Sequence, residues 1–104
     1  MEDISPSALR DLLASAPVVV IDVREPWEFA LCQILGSTLV PLESVPDHLD
    51  ELDPEALTVM VCHHGVRSHH AAEYLRRNGF QRVLNLAGGI HRWAVELDPT
   101  MAQY

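Results

Sequence analysis

Residues 57–68 read LTVMVCHHGVRS, and this stretch limits what the chain can fold into more than any other. Leu57, Val59, Met60 and Val61 form a short apolar run rich in β-branching, the pattern of a buried strand. The run stops at Cys62, and His63, His64, Gly65, Val66 and Arg67 do not continue a core strand. From Arg67 the period becomes helical. Ala71, Ala72 and Leu75 share one face, with Glu73, Arg76 and Arg77 elsewhere, and the two arginines suit the negative end of the helix dipole. A cysteine therefore stands where a strand ends and a tight loop turns into a helix. Loop amides and a helix N-terminus converge at such a point and favour negative charge there. A thiolate so placed is a usable nucleophile at neutral pH. The competing reading is an inert core thiol, since free cysteines are often fully buried. Gly65, the cationic Arg67 and the strand–loop–helix setting favour the nucleophile.

The flanking segments extend the same alternation. Ser5 caps a helix whose first position suits Pro6, with Leu9, Leu12 and Leu13 as its apolar stripe and Pro17 as its end. Residues 18–21 are a continuous apolar run, short enough for a strand buried on both faces of a parallel sheet. Asp22 and Arg24 follow at its carboxyl end, where their residue types alone read as a surface ion pair worth little. Pro26 opens a short helix containing Trp27, Phe29, Ala30 and Leu31. Residues 38–41 read as an edge strand, 46–52 as a short acidic helix, 83–86 as a further buried strand, and 90–95 as a last helix with Trp93 packed. Residues 96–104 form a polar tail expected along the surface. Alternating strands and helices imply an α/β domain with a mainly parallel sheet. Asp22, Arg24 and Cys62 then lie at strand carboxyl ends, where such sheets bind ligands.

Composition narrows the partners. The 104 residues suit one compact domain, 1–104, with a core at about 18–93. The formal charge is −8 and all seven basic residues are arginine, so nucleic acid and anionic membrane are poor partners. Attraction for an anionic substrate must come from arginine and backbone amides. No apolar run approaches the roughly 20 residues that span a bilayer, and the acidic start is unlike a signal peptide, so a cytoplasmic location is expected. Cys32 and Cys62 are too few and too far apart for a disulfide framework and are expected as reduced thiols.

The loop from Cys62 to Ser68 resembles the active-site loop of the rhodanese homology domain, a sulfurtransferase family whose loop cysteine carries a persulfide. Three other stretches resemble the family in the right order: IDVREPWEF at 21–29, ILGS at 34–37 and LAGGIHRW at 86–93. The resemblance implies a single rhodanese-like domain, with a mainly parallel sheet of about five strands flanked by helices on both faces. It implies a sulfurtransferase moving sulfane sulfur from a small anionic donor such as thiosulfate to cyanide, a thiol or a protein acceptor, with Cys62 as nucleophile. His63, His64, Gly65, Val66, Arg67 and Ser68 would bind the donor and stabilise the persulfide, with Arg67 expected to clamp the donor rather than only brace the loop. Asp22 and Arg24 would then support that loop rather than form a surface pair. Cys32 is expected to pack in the domain rather than to resolve a disulfide.

Two other classes compete. A cysteine phosphatase or arsenate reductase uses a similar cradle, but with five residues between cysteine and arginine; only residues 63 to 66 intervene here. A non-catalytic binding module of the same family commonly lacks the cysteine. The histidines at 63, 64, 69 and 70 are ligand types that zinc accepts, yet no second spaced ligand cluster exists. His69 and His70 read as first-turn residues, and neither metal nor cofactor is expected.

Overall fold

The computed structural model describes residues 2–104. Ser5 accepts a hydrogen bond from the Ala8 amide and caps α1, Pro6–Ser15. The short strand β1, Asp3–Ile4, precedes it, and β2, Val19–Asp22, follows. Next come α2, Pro26–Leu31, and β3, Thr38–Leu39. Residues Leu42–Glu51 wind as a 3₁₀ helix rather than the α-helix expected at 46–52, with Pro46, which lacks an N–H to donate, inside it. The remaining elements are β4, Thr58–Val61, α3, Val66–Arg77, β5, Val83–Leu86, and α4, Gly89–Leu97.

The five strands form one parallel sheet in the order β1-β5-β4-β2-β3. Val20 pairs with Val59 and Ile21 with Met60, so alternate side chains go to opposite faces. Ile21 and Met60 pack with Ala71, Ala72 and Leu75 of α3 and with Val45 of the 3₁₀ segment. Val20, Val59 and Val61 pack with Leu9 of α1 and Ile90 of α4, with Trp93 half-buried beside them. A sheet covered on both sides explains why its inner strands read as unbroken apolar runs. Because every strand points the same way, β2, β4 and β5 deliver Asp22, Cys62 and Gly88 to one edge of the molecule. No helix among the described residues is long and apolar enough to cross a membrane.

Candidate active site

Cys62 follows the last residue of β4 and is 1% exposed. The chain turns beneath its sulfur, and the Gly65 amide donates back to Sγ at 3.0 Å. Gly65 is the N-cap of α3 at φ +101°, a left-handed conformation that favours glycine. Ser68, one turn into α3, places Oγ 3.3 Å from the same sulfur and also hydrogen-bonds Asn85 Oδ1. A hydroxyl carries one proton, so Ser68 donates to only one of these acceptors at a time. Asn85 is held in turn, donating from Nδ2 to the Gly65 carbonyl at 3.1 Å and to Asp3 Oδ1 at 3.3 Å.

The loop's outward carbonyls meet the N-terminus of α4. Ile90 N–H donates to Cys62 O at 2.8 Å and His91 N–H to His63 O at 3.0 Å. This close approach explains Gly89, where a Cβ would stand 2.3 Å from His63 O. The sequence expectation had the amides from His63 to Ser68 converging on the sulfur. Among them, the Gly65 amide is the one on Sγ, while the loop's carbonyls are tied to α4 and Asn85.

Asp22 and Arg24 are no surface pair, as their residue types alone had read; they are 1% and 0% exposed. Arg24 Nε and Nη2 clasp the Asp22 carboxylate at 2.8–3.0 Å. Its remaining N–H groups reach the Glu28 and Cys32 carbonyls, Cys32 Sγ and the Tyr104 hydroxyl. Burial alone would lower the pKa of this guanidinium, but the bonds from Asp22 and Tyr104 outweigh burial and leave it raised. A fully bonded buried arginine is possible only with such a complete set of acceptors.

Arg67 is likewise occupied. Its Nη1 and Nη2 bond the two oxygens of Glu28 at 2.7 and 2.9 Å, a bidentate pair. This geometry favours bracing over the expected donor clamp. The Arg67 guanidinium is the main cause holding the Glu28 carboxyl down at about 2, against the opposing effect of burial. Glu28 also closes a capping box on α2, accepting from the Glu25 amide at 2.9 Å. The Tyr104 hydroxyl donates to Glu28 Oε2 at 2.7 Å while accepting from Arg24 at 3.0 Å. Arg24 thus reaches the loop indirectly, through Tyr104 and Glu28 to Arg67.

The tail is largely exposed, but it begins later than its sequence reading and ends against the loop. Glu96 and Leu97 complete α4, and residues 98–104 return so that the Tyr104 ring stacks on His63 at 3.8 Å. Trp27 meets Tyr104 edge-on at 5.7 Å. His63 is half-buried, and its ring also meets that of the exposed His64, tilted by 31° with centroids 3.9 Å apart. Burial first, and the neighbouring His64 second, lower the His63 pKa. Val66 is exposed on the first turn of α3. His69 pairs with Glu73 at 2.8 Å one helical turn on. Cys32 is buried, packed on the α1–α4 side of the sheet. No group of three or more His, Cys, Asp and Glu side chains among the described residues is placed to hold a metal ion.

Four residues of this network were not singled out from sequence. Asn85 had a signal, as the one polar residue in the buried run 83–86. Glu28 had one too, in the Glu25-Pro26-Trp27-Glu28 spacing of a capping box. His91 and Tyr104 had none, since their places depend on where α4 and the tail dock.

With the geometry in view, comparison with known proteins is informative. The family model described as Rhodanese-like domain matches residues 5–96. A protein from Ectopseudomonas mendocina named thiosulfate sulfurtransferase GlpE is 37% identical over 100 residues, covering 96% of this chain and 91% of its own. The crystal structure of a rhodanese-like domain protein from Staphylococcus aureus superposes with a TM-score of 0.86 at 32% identity, covering 100% of this chain and 99% of that one. An Arabidopsis thaliana protein named rhodanese-like/PpiC domain-containing protein 12, chloroplastic, is 33% identical over 94% of this chain, which spans 34% of its length. A family model across most of the chain, relatives above 30% identity and a matching five-stranded fold agree, and the chain belongs to the rhodanese-like domain family.

Proposed function

We propose that this chain is a sulfurtransferase that carries sulfane sulfur on Cys62. The observation that supports it most is the thiol itself. It ends a central parallel strand, with an amide N–H 3.0 Å away and a hydroxyl 3.3 Å away, in a loop pinned by α4 and Asn85. The relative from Ectopseudomonas mendocina bears the name of such an enzyme. In the first step the Cys62 thiolate attacks the outer sulfur of a donor such as thiosulfate. A Cys62 S–S bond forms, the donor's S–S bond breaks, and sulfite leaves with that bond's electron pair. In the second step an acceptor nucleophile takes the outer sulfur and restores the thiolate, cyanide becoming thiocyanate. The Gly65 amide is preorganised for the negative charge on sulfur, and Ser68 turns its one proton toward it when that charge is present. Neither donation requires the loop to move. Arg24, Asp22, Glu28 and Arg67 hold the loop and α2 together rather than touch the sulfur.

The test is thiocyanate formation from thiosulfate and cyanide by the native chain and by Cys62→Ser. Transfer by the native chain and loss of it in the variant, with an unchanged circular dichroism spectrum, is the expected result. Equal transfer by both would refute the proposal.

A further inference from the structure

Asn85 is the polar residue within the strand Val83–Leu86, and it is 4% exposed. It lies in register with Met60, so its side chain goes to the α3 face of the sheet, against Ser68. A side-chain amide has two N–H donors and one acceptor oxygen. All are used here. Nδ2 donates to the Gly65 carbonyl and to Asp3, and Oδ1 faces the Ser68 hydroxyl. The opposite flip would aim the oxygen at a carbonyl and a carboxylate, so the network fixes the amide in this orientation. Ser68 therefore meets an oxygen that carries no proton, and in that bond Ser68 is the donor. Ser68 is itself fully buried, and its one proton has two acceptors within reach, Asn85 Oδ1 and Cys62 Sγ. Exchange between them is a rotation of one O–H bond and moves no heavy atom.

The Gly65 amide at 3.0 Å and the Ser68 hydroxyl at 3.3 Å are both on Sγ. Sγ carries the negative charge when Cys62 is a thiolate. In a persulfide that charge belongs to the outer sulfur, one S–S bond of about 2 Å further out. Sγ is then a weak acceptor, and Asn85 Oδ1 is the better place for the Ser68 proton. Charge returns to Sγ when an acceptor takes the outer sulfur. Sγ is the leaving group of that step and keeps the electron pair of the broken S–S bond. With cyanide, Cys62–S–S⁻ and CN⁻ give Cys62–S⁻ and SCN⁻, with sulfur and charge conserved. A donor that engages only as this charge develops lowers the barrier to sulfur release.

Resting on the sulfurtransferase reading above, we infer that Asn85 is a positioning residue for sulfur release, which holds the Ser68 proton while Cys62 is loaded and yields it to Sγ as the sulfur departs. Ser68 thus stabilises the thiolate, and Asn85 stabilises the loaded state through Ser68.

The loading equilibrium reads both effects. Cys62–S⁻ and thiosulfate exchange with Cys62–S–S⁻ and sulfite, and intact mass gives the loaded fraction at a fixed thiosulfate-to-sulfite ratio. Working at about pH 9, above the ordinary value for a cysteine thiol, favours the thiolate in every variant. Ser68→Ala takes a donor from the thiolate and should raise the loading constant roughly five- to tenfold, the scale of one hydrogen bond. Asn85→Ala takes away the acceptor used in the loaded state and should lower the constant several-fold. In the Ser68→Ala background, Asn85→Ala should change nothing, because its effect passes through the hydroxyl. The loop tolerates the Asn85 substitution, since the Gly65 carbonyl keeps the His69 amide and Asp3 is exposed. An Asn85 with a purely structural role would act alike with or without Ser68. Such an undiminished effect, an Asn85→Ala constant that does not fall, or a Ser68→Ala constant that does not rise would overturn the inference while leaving sulfur transfer intact. No loading of the native chain by excess thiosulfate without sulfite would instead overturn the sulfurtransferase reading on which it rests. If Asn85→Ala does not fold, the direction of change in Ser68→Ala still decides.

Discussion

Cys62 and Arg67 sit five positions apart in one loop and have different partners. Cys62 presents its sulfur to the Gly65 amide, whereas Arg67 turns away to Glu28. Arg67→Ala should therefore act on the fold more than on the donor. It leaves the nearly buried Glu28 carboxylate without its bidentate partner, at a cost of about 1–3 kcal/mol for a pair whose arginine side is 35% exposed. For a domain of this size, each kcal/mol lowers Tm by roughly 4–8 °C. The expected result is a clear drop in Tm by calorimetry, with KM for the donor changed little. An unchanged Tm with a raised KM would restore the clamp. The same pair fixes an acid limit. The Glu28 carboxyl lies at about 2 in the fold against 4.5 when free, so its stabilisation is complete above 4.5 and lost as pH falls toward 2. Tyr104 works at the other end: burial raises it to about 12 from 10, so its contribution is present below 10 and fades as pH rises toward 12. Tm measured across pH should fall on both flanks, and Tyr104→Phe should remove the alkaline part. A Phe variant with the native alkaline profile would show that the tail does not bury this ring. The sequence made Cys62 legible because strand pattern, loop glycine and helix pattern meet at one residue. Residue types alone did not reveal the fate of Asp22 and Arg24, which only the family resemblance set in support of the loop, because an ion pair two residues apart looks the same buried or exposed. Burial is decided by α2 and the tail closing over it.

At the scale of elements, the loop is positioned by the N-terminus of α4 and by β5, not by its own sequence alone. Gly89 lets α4 approach until its amides reach the carbonyls of Cys62 and His63. Gly89→Ala adds a methyl group 2.3 Å from one of those carbonyls, on a residue at φ +63°. The backbone must shift, and a destabilisation of about 1–3 kcal/mol is expected together with slower persulfide formation. Chemical denaturation and intact mass on the same sample measure both effects. Native stability in this variant would show that α4 does not hold the loop. The inner strands and α1, α2 and α3 were readable because each carries an unmixed pattern, apolar runs for strands and spaced apolar residues for helices. The edge strand β1 was not, since Asp3 and Ile4 carry no pattern of their own and become a strand only by pairing with Asn85 and Leu86. The 3₁₀ segment was read at nearly the right place but in the wrong form, because Leu49 and Leu52 face the core equally well from either helix.

Taken whole, the molecule is an acidic domain on a parallel sheet, with its candidate site at the carboxyl edge of the strands. The cradle there spans Cys62 to Arg67, with four residues between them, and Arg67 is already bound. A phosphate group needs more converging amides and a free cation, so no hydrolysis of aryl phosphates is expected from the native chain. Phosphatase activity that vanished in Cys62→Ser would contradict the sulfur reading. The general arrangement was legible in the sequence because charge, alternation and motif order are properties of the chain itself. The return of residues 98–104 to His63 was not, since it depends on the complete surface against which the tail packs. The decisive measurement is the intact mass of the chain after incubation with an excess of a sulfane-sulfur donor, followed by peptide mapping. One added sulfur on Cys62, removed by cyanide and absent from Cys62→Ser but retained by Cys32→Ser, is the predicted result. No added sulfur from any donor, or sulfur that persists when Cys62 is replaced, would contradict it.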